Sequence, residues 1–464
     1  MGDMKLIQEV RGVMTRFEPL TPKAIIAAGS EVTYDEIVDT LTAYGLDVHK
    51  VVHDPSRKIF NTYYADYECG QYATICLQGD YLRRAGQLEL RNLANYGGIC
   101  PALQKRDWNT YYSQYVPLPM LIYDFERRYK DIPAEQVFLI WHHIYKRIDY
   151  GNDMWTPEVL NYVLHCAPPS KLPAVDSDGL ITIYRGMGEL SQPPEWAISW
   201  SSHPGNALWF ANRSGRGTRI VVARVRPEQI VAYFGGYAEE NEVLVLPGSI
   251  KKYHYEDMIP ASFGTVLPML VPILLNYQFY GRQAKSMGYE LERTPFHVHG
   301  ISHTLRVLLL SLLYIQHSGD RLSEADQQIL IYFSLFHDIG RTNEGRDNHH
   351  GEQSVELIRK KNIRVRGIRL SRREYQIAHL IIALHCVDDT VGEAAIMAVS
   401  WLSRKEKAHV VHLYNICKDM DGLDRVRFNG LDYRLLRTKY AKRLPLIAGC
   451  LLEEDILTPL DMEI

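Results

Sequence analysis

One stretch constrains this chain more than any other. LIYFSLFHDIG, residues 330–340, sets His337 and Asp338 side by side in an otherwise apolar helical run. Burying two ionisable groups together is costly unless they are paired or bound to a metal. A fold that accepts this segment must therefore bring partners to it. Candidates stand on both sides: His299 and His303 in HVHGISHTLRV, His349 and His350 in RDNHHGEQS, His385 in ALHC, and Asp419, Asp421 and Asp424 in KDMDGLD. The spacing predicts that His299 and His303 lie one helical turn apart and share a face. Imidazole and carboxylate are the groups that hold Zn, Mn, Fe or Ni, and adjacent metals can activate a water against a phosphorus centre. A lone buried His is usually hydrogen-bonded structure. Five His/Asp clusters in one helical stretch ask for more than that.

The texture of the chain divides it. Its 464 residues suggest two or three domains. Residues 1–110 are mixed, with helical spacing from Tyr34 to Leu46, and no chemistry is assigned to them. Residues 111–166 read as helices, notably EQVFLIWHHIYKRI and PEVLNYVLHC, the second with Pro157 at its start. APPSKLP at 167–173 is a break. LITIYRG, TRIVVARV, QIVAYF and NEVLVLP are short, β-branched and separated by Gly and Pro, as strands are. From 265 to 464 the pattern is helical throughout. The expected organisation is α+β and multidomain. An N-terminal region of unknown role covers 1–110. A module at 111–260 has a helical lobe (111–173) and a β core (178–257). An all-α module covers 265–464.

Composition narrows the classes. The 52 basic and 55 acidic side chains leave a net charge of −3, which gives no global grip on nucleic acid. Seven scattered cysteines without a C-x-x-C pair argue against a disulfide framework or a cysteine zinc site, and fit a reducing compartment. The N-terminus, MGDMKLIQEVRG, has no apolar signal region. The longest apolar stretches, near Phe263–Leu275 and Val307–Ile315, fall short of the roughly 20 residues that span a bilayer. The expectation is a cytoplasmic protein, or one delivered into a host cytoplasm without a cleaved signal, with no membrane partner. Nucleic acid is not indicated as a partner. Residues 359–374, RKKNIRVRGIRLSRRE, carry eight Lys/Arg. Such a run is either a solvated face or a device for steering an anionic substrate toward the His/Asp cleft.

Three features order the strand-rich region: Tyr184-Arg185-Gly186 at a strand end, Ser199-Trp200-Ser201, and Glu240-Asn241-Glu242 before an apolar strand. An Arg at a strand end can hold a diphosphate with a bidentate fork. A Ser hydroxyl can orient a carboxylate. A carboxylate beneath a ribose can stabilise an oxocarbenium-like transition state. A second carboxylate two residues earlier, on the same face of an extended segment, can serve as base.

That order of Arg, Ser-x-Ser and Glu-x-Glu resembles the R-S-E class of ADP-ribosyltransferases, which includes many bacterial toxins. The resemblance implies an ADP-ribosyltransferase fold, a helical lobe followed by a β-sandwich core, with NAD as substrate. Tyr184, Arg185, Gly186, Ser199 and Ser201 would then contact NAD, with Arg185 on its phosphates. Ser199 would position the catalytic Glu242, and Glu240 would serve arginine as acceptor. Trp200 stands where the family usually has Thr, and the Arg185–Ser199 interval is short. The helical module resembles the HD superfamily of metal-dependent phosphohydrolases. The likeness implies His303, His337, Asp338 and Asp421 as metal ligands, with His350 and His385 completing a second divalent-metal site.

HVHGISHTLRV followed by FHDIGRTNEGRDNHHGEQS also looks like the phosphodiesterase module of the SidE family of bacterial effectors, here in reversed order relative to the transferase. That likeness implies covalent catalysis at His299, assisted by His337, Glu344 and His385. It also implies a protein target, ubiquitin in that family, onto which phosphoribose is passed with AMP release. Two alternatives stay open: an uncoupled transferase beside an HD nucleotide phosphohydrolase, or a degenerate, non-catalytic transferase module beside an active HD domain.

Overall fold

A computed structural model gives the architecture. It describes residues 17–27, 29–53, 62–75, 82, 86–96, 98–148, 154–188, 191–213, 217–236, 240–287, 299–428 and 431–453. The chain is α+β and separates into two compact units, Met1–Pro169 and Ser170–Ile464. The helices expected at 111–166 fall in the first, and the strands share the second with the helical region.

In the first unit, β1 (Glu18–Pro19), β2 (Val51–His53), β3 (Thr62–Asp66) and β4 (Gln71–Thr74) pair in series as an antiparallel sheet. Helix α1 (Tyr34–Ala43) starts at a capping box, Thr33 with Glu36, and buries Ile37 and Leu41 in a core with Val51, Tyr64 and Ile75. Helices α2 (Gly86–Tyr96), α3 (Leu121–Arg128), α4 (Ala134–Arg147) and α5 (Pro157–His165) follow. Thr156 caps α5 and Pro157 occupies its first turn, as its sequence requires. The tyrosine richness of this unit has a local purpose. Fully buried Asp124 accepts hydrogen bonds from the hydroxyls of Tyr72 and Tyr111 and from Arg128 Nε.

In the second unit, six strands form one antiparallel sheet: β5 (Ile181–Met187), β6 (Ser199–Ser201), β7 (Arg219–Val225), β8 (Ile230–Phe234), β9 (Glu242–Val245) and β10 (Tyr253–Tyr255), in the order β10-β7-β5-β6-β9-β8. One face gathers Ile183, Trp200, Val221, Val243 and Val245 into a core of its own. The other face packs on helix α6 (Pro204–Asn212). Contact there is so close that a Cβ on Gly186 would lie 2.0 Å from the Ala207 carbonyl oxygen. Ala207, Leu208 and Ala211 of α6 join the same hydrophobic core as the helices beyond residue 262, so sheet and bundle consolidate together.

That bundle runs α7 (Phe263–Leu270), α8 (Leu274–Ser286), α9 (Ile301–His317), α10 (Glu324–Phe336), α11 (His350–Lys361), α12 (Arg372–Leu384), α13 (Asp389–Ala398), α14 (Arg404–Leu423) and α15 (Pro445–Glu453). Capping boxes start α10 (Ser323/Asp326), α12 (Ser371/Glu374) and α14 (Ser403/Glu406). Among the described residues no helix is long and apolar enough to cross a membrane.

Candidate metal centre

Three helix C-termini and two helix N-termini meet around His337 and Asp338. His337 caps the C-terminus of α10, and Asp338 is the next residue. His303 lies in the first turn of α9, His350 opens α11, His385 caps α12, and Asp421 sits in the last turn of α14. Two glycines allow the approach. A Cβ on Gly340 would lie 2.5 Å from Ser354 N, and one on Gly351 would lie 2.3 Å from the Ile382 carbonyl oxygen. Ser354 fastens the HD turn to α11. Its hydroxyl donates to the His337 carbonyl (2.8 Å) and accepts from Gly340 N (3.0 Å).

The imidazole tautomers follow from their outer partners. His303 Nδ1 faces Asp424 Oδ2 (2.7 Å), His337 Nδ1 the Phe333 carbonyl (3.2 Å), His350 Nδ1 the Asp347 carbonyl (2.7 Å) and His385 Nδ1 the Ile382 carbonyl (2.7 Å). Each partner is an acceptor, so each Nδ1 carries the proton, and a neutral ring then offers a bare lone pair at Nε2. These Nε2 atoms face each other in two pairs: His303–His337 at 3.0 Å and His350–His385 at 2.9 Å. Two lone pairs at that separation repel unless a proton is shared between them or a cation lies beside them.

Asp338 stands between the pairs. Its Oδ2 is 3.6 Å from His303 Nε2 and 3.9 Å from His337 Nε2, while its Oδ1 is 3.1 Å from His350 Nε2 and 3.6 Å from His385 Nε2. Asp338 Oδ1 is buried and carries no hydrogen bond. Asp421 Oδ1 closes the first group, 3.2 Å from His303 Nε2 and 3.6 Å from His337 Nε2. The donor set therefore fits two divalent cations sharing Asp338: one at His303, His337, Asp338 and Asp421, the other at His350, His385 and Asp338. Cys386, adjacent to His385, completes a compact group with the second pair. Its thiol donates to the Asn348 carbonyl and is pushed up in pKa by burial.

Burial alone would raise Asp338 and Asp421. The surrounding imidazoles outweigh it and hold both carboxyls well below their usual range. Burial lowers His385, and the nearby Asp338 offsets this only in part. His303 is pushed down by burial, but Asp421 and Asp424 reverse the balance and raise it.

Residues 300–426 match the HD domain family. No curated protein and no solved structure matches the chain. HD domains are metal-dependent phosphohydrolases, and the His/Asp centre of this one is compatible with the divalent metal they usually bind.

Around the HD centre stands a layer of charge. Asp424 orients His303 and is itself gripped by both Arg306 (Nε–Oδ1 2.5 Å, Nη2–Oδ2 3.0 Å) and Arg427 (Nη1–Oδ2 2.9 Å). Arg427 Nε is buried without a hydrogen-bond partner, and its guanidinium lies 4.2 Å over the half-exposed ring of Phe428. Arg306, Arg427 and Phe428 carry no spacing signal in the sequence; Asp424 stood in the KDMDGLD cluster, three residues after Asp421. Asp419 of the same cluster points elsewhere. It is fully buried and spent on the backbone of Arg437 and Thr438, its pKa raised by burial.

His299 needs a correction. Gly300 is the N-cap of α9, so His299 lies outside the helix and shares no helical face with His303. The turn nonetheless brings the two rings to 5.8 Å, and His299 Nδ1 pairs with Glu344. Burial lowers the His299 pKa, with Glu344 opposing. His349 remains exposed, facing Glu352. The basic run spans the far end of α11, the loop after it and the start of α12, its helical members roughly 14–20 Å from His350 and His385 by helix rise. That exceeds a physiological Debye length of about 8 Å, so steering into the HD cleft does not explain it.

The strand-region residues also meet. The Ser199 hydroxyl donates to Glu242 Oε1 at 2.6 Å, and Arg185 Nη1 donates to the Ser199 carbonyl at 2.6 Å. They sit on adjacent strands β5, β6 and β9, with Ser201 opposite both Tyr184 and Glu242. Glu242 is 5% exposed. Ser201 Oγ donates to the Glu240 carbonyl. The expected common face for Glu240 and Glu242 does not hold. Asn241 between them is left-handed (φ 51°), so β9 and its alternation begin at Glu242. Tyr184 is buried, its hydroxyl accepting from Arg434 Nη1 at 2.8 Å, and Gly186 is the point where α6 touches the sheet.

Proposed function

We propose that the chain is a bifunctional enzyme whose HD domain cleaves a phosphoanhydride or phosphodiester. The observation that carries the HD part is the convergence of four imidazole Nε2 atoms on the two oxygens of Asp338. A divalent metal held there would polarise a phosphoryl oxygen and lower the pKa of a bound water. The chain's own residues do the rest. Asp424, Arg306 and the carbonyls of Phe333, Asp347 and Ile382 fix the rings in the liganding tautomer. Arg427 brings a buried cation beside the site for substrate phosphate. The His299–Glu344 pair stands at its edge, where Glu344 can hold the ring as base or nucleophile. Purified protein should hydrolyse bis-p-nitrophenyl phosphate in a metal-dependent way, and Asp338→Ala should abolish it. Equal turnover by the Asp338→Ala variant would defeat this part.

The second activity in the proposal is NAD-dependent mono-ADP-ribosylation by the strand region. It is favoured by the Ser199–Glu242 hydrogen bond and by the placement of Arg185 beside Ser199. In this reading Arg185 holds the NAD phosphates, Ser199 aims the carboxylate of Glu242 and Glu242 stabilises the ribosyl cation. Glu240 serves the acceptor arginine. The HD domain then cuts the pyrophosphate of the product, releasing AMP and leaving phosphoribose on a protein, ubiquitin being the first target to test. Wild type given NAD and ubiquitin should release nicotinamide and AMP. His299→Ala should accumulate the intact ADP-ribosyl adduct, heavier by mass spectrometry. NAD consumption without AMP would favour two uncoupled activities, and no NAD consumption would favour a non-catalytic strand module.

A further inference from the structure

Two sequence features remain outside this account, the apolar stretch near Phe263–Leu275 and the basic run 359–374. They form one surface. No charged residue occurs between Asp257 and Arg282. That segment folds as α7, a short 3-10 turn (Val271–Ile273) and α8. Its inner stripe, Val266, Leu270, Ile273, Tyr277 and Tyr280, lies in the core. Its outer residues recur every fourth position and stay in solvent: Leu267 (45% exposed), Val271 (61%), Leu275 (77%) and Phe279 (41%). The other apolar stretch, Val307–Ile315, lies in core helix α9 instead.

The end of this ridge touches the basic loop. A Cβ on Gly367 would come 2.8 Å from the Phe279 ring. Gln283, one turn after Phe279, accepts from Arg366 N (2.7 Å) and donates to the Arg366 carbonyl (3.1 Å). Gln328 of α10 accepts from Arg369 N at 2.6 Å. Val365 and Ile368 anchor the loop in the core, so Arg364, Arg366 and Arg369 point outward from a pinned backbone. None of these three makes an ion pair among the described residues. Arg359, Lys360 and Arg372 extend the exposed basic surface.

We propose that, against the sequence expectation of no membrane partner, this ridge and loop dock the protein on an anionic membrane surface, the apolar side chains entering the interface and the arginines meeting lipid phosphates. An uncharged apolar helix face flanked by cations is the pattern of interfacial binding. Protruding side chains decide against a partner's helix. A residue 61–77% exposed stands out from the surface, as insertion requires, and does not line a groove.

Co-sedimentation of the full chain with phosphatidylcholine vesicles, with and without phosphatidylserine, tests this. Binding should require phosphatidylserine and weaken with salt. Arg366→Gln with Arg369→Gln should cost about 25-fold, at about fivefold per removed charge. Leu275→Asp should cost at least about tenfold, because a large apolar anchor is lost. Both variants change exposed side chains and should melt as wild type does. Absence of vesicle binding, or binding indifferent to Leu275→Asp, overturns the proposal. Salt-sensitive retention of single-stranded RNA without vesicle binding would overturn it in favour of a nucleic-acid surface.

Discussion

Asp424→Asn separates orientation of the metal centre from its ligands. Asp424 is 1% exposed, and its two oxygens serve His303, Arg306 and Arg427. The amide keeps the shape but loses the charge, and one of its ends must turn an NH2 toward donors. Two largely buried guanidinium groups then lose the carboxylate that both of them grip. Breaking a buried charge pair costs about 3–5 kcal/mol. For a unit of this size each kcal/mol moves the melting point by about 2–4 °C, so a drop on the order of 6–20 °C is expected. His303 also loses the acceptor that fixes its tautomer, which should weaken metal binding about 10–100-fold. In the folded protein Asp424 is held below its ordinary pKa, because His303 and Arg306 outweigh the opposing effect of burial. Its contribution is therefore complete above about pH 4 and is lost as pH falls through the lower folded value. Calorimetry of wild type and variant across pH, with metal titration at neutral pH, measures all three. Equal melting at neutral pH and equal metal affinity would refute the orientation argument.

Other outcomes follow from the same geometry. Gly351→Ala should push α11 from α12 and cost occupancy at His350 and His385 more than at His303 and His337, measured as a fall in metal stoichiometry. Glu242→Gln should abolish nicotinamide release, while Ser199→Ala should lower it with Glu242 still in place; unchanged release in Glu242→Gln would remove the transferase reading. Gly186→Ala should destabilise the second unit, because its Cβ meets backbone of α6 with no side chain able to yield. Ser403→Ala should cost about 1 kcal/mol through loss of the α14 cap, seen as a small drop in chemical-denaturation midpoint.

Much of the helical region was legible because its signals are local. His337-Asp338 in an apolar run announces a buried polar cost, and KDMDGLD announces a carboxylate cluster at the end of α14. The surrounding charge was not legible in the same way. Arg306 meets Asp424 only because α9 and the chain after α14 fold side by side, 118 residues apart in sequence, and Arg427 reaches the same carboxylate from three residues further on. The left-handed Asn241 broke an alternation that a strand pattern assumed, and Gly300 ended a helix that i,i+4 spacing had extended to His299. The sheet of the first unit escaped because all five residues of β3 are buried, so no polar alternation marks it. Sheet and bundle looked like separate texture blocks, yet α6 links them through small residues, Gly186, Ala207 and Ala211, that carry no pattern of their own.

The central claim is that Asp338 is shared by two cation sites. Metal content by mass spectrometry, on protein loaded with manganese and then desalted, tests it most directly. Wild type should retain two ions per chain, Asp338→Ala should lose both, and His385→Ala should lose one. A wild type that retains none, or an Asp338→Ala variant that keeps its full complement, would contradict the account.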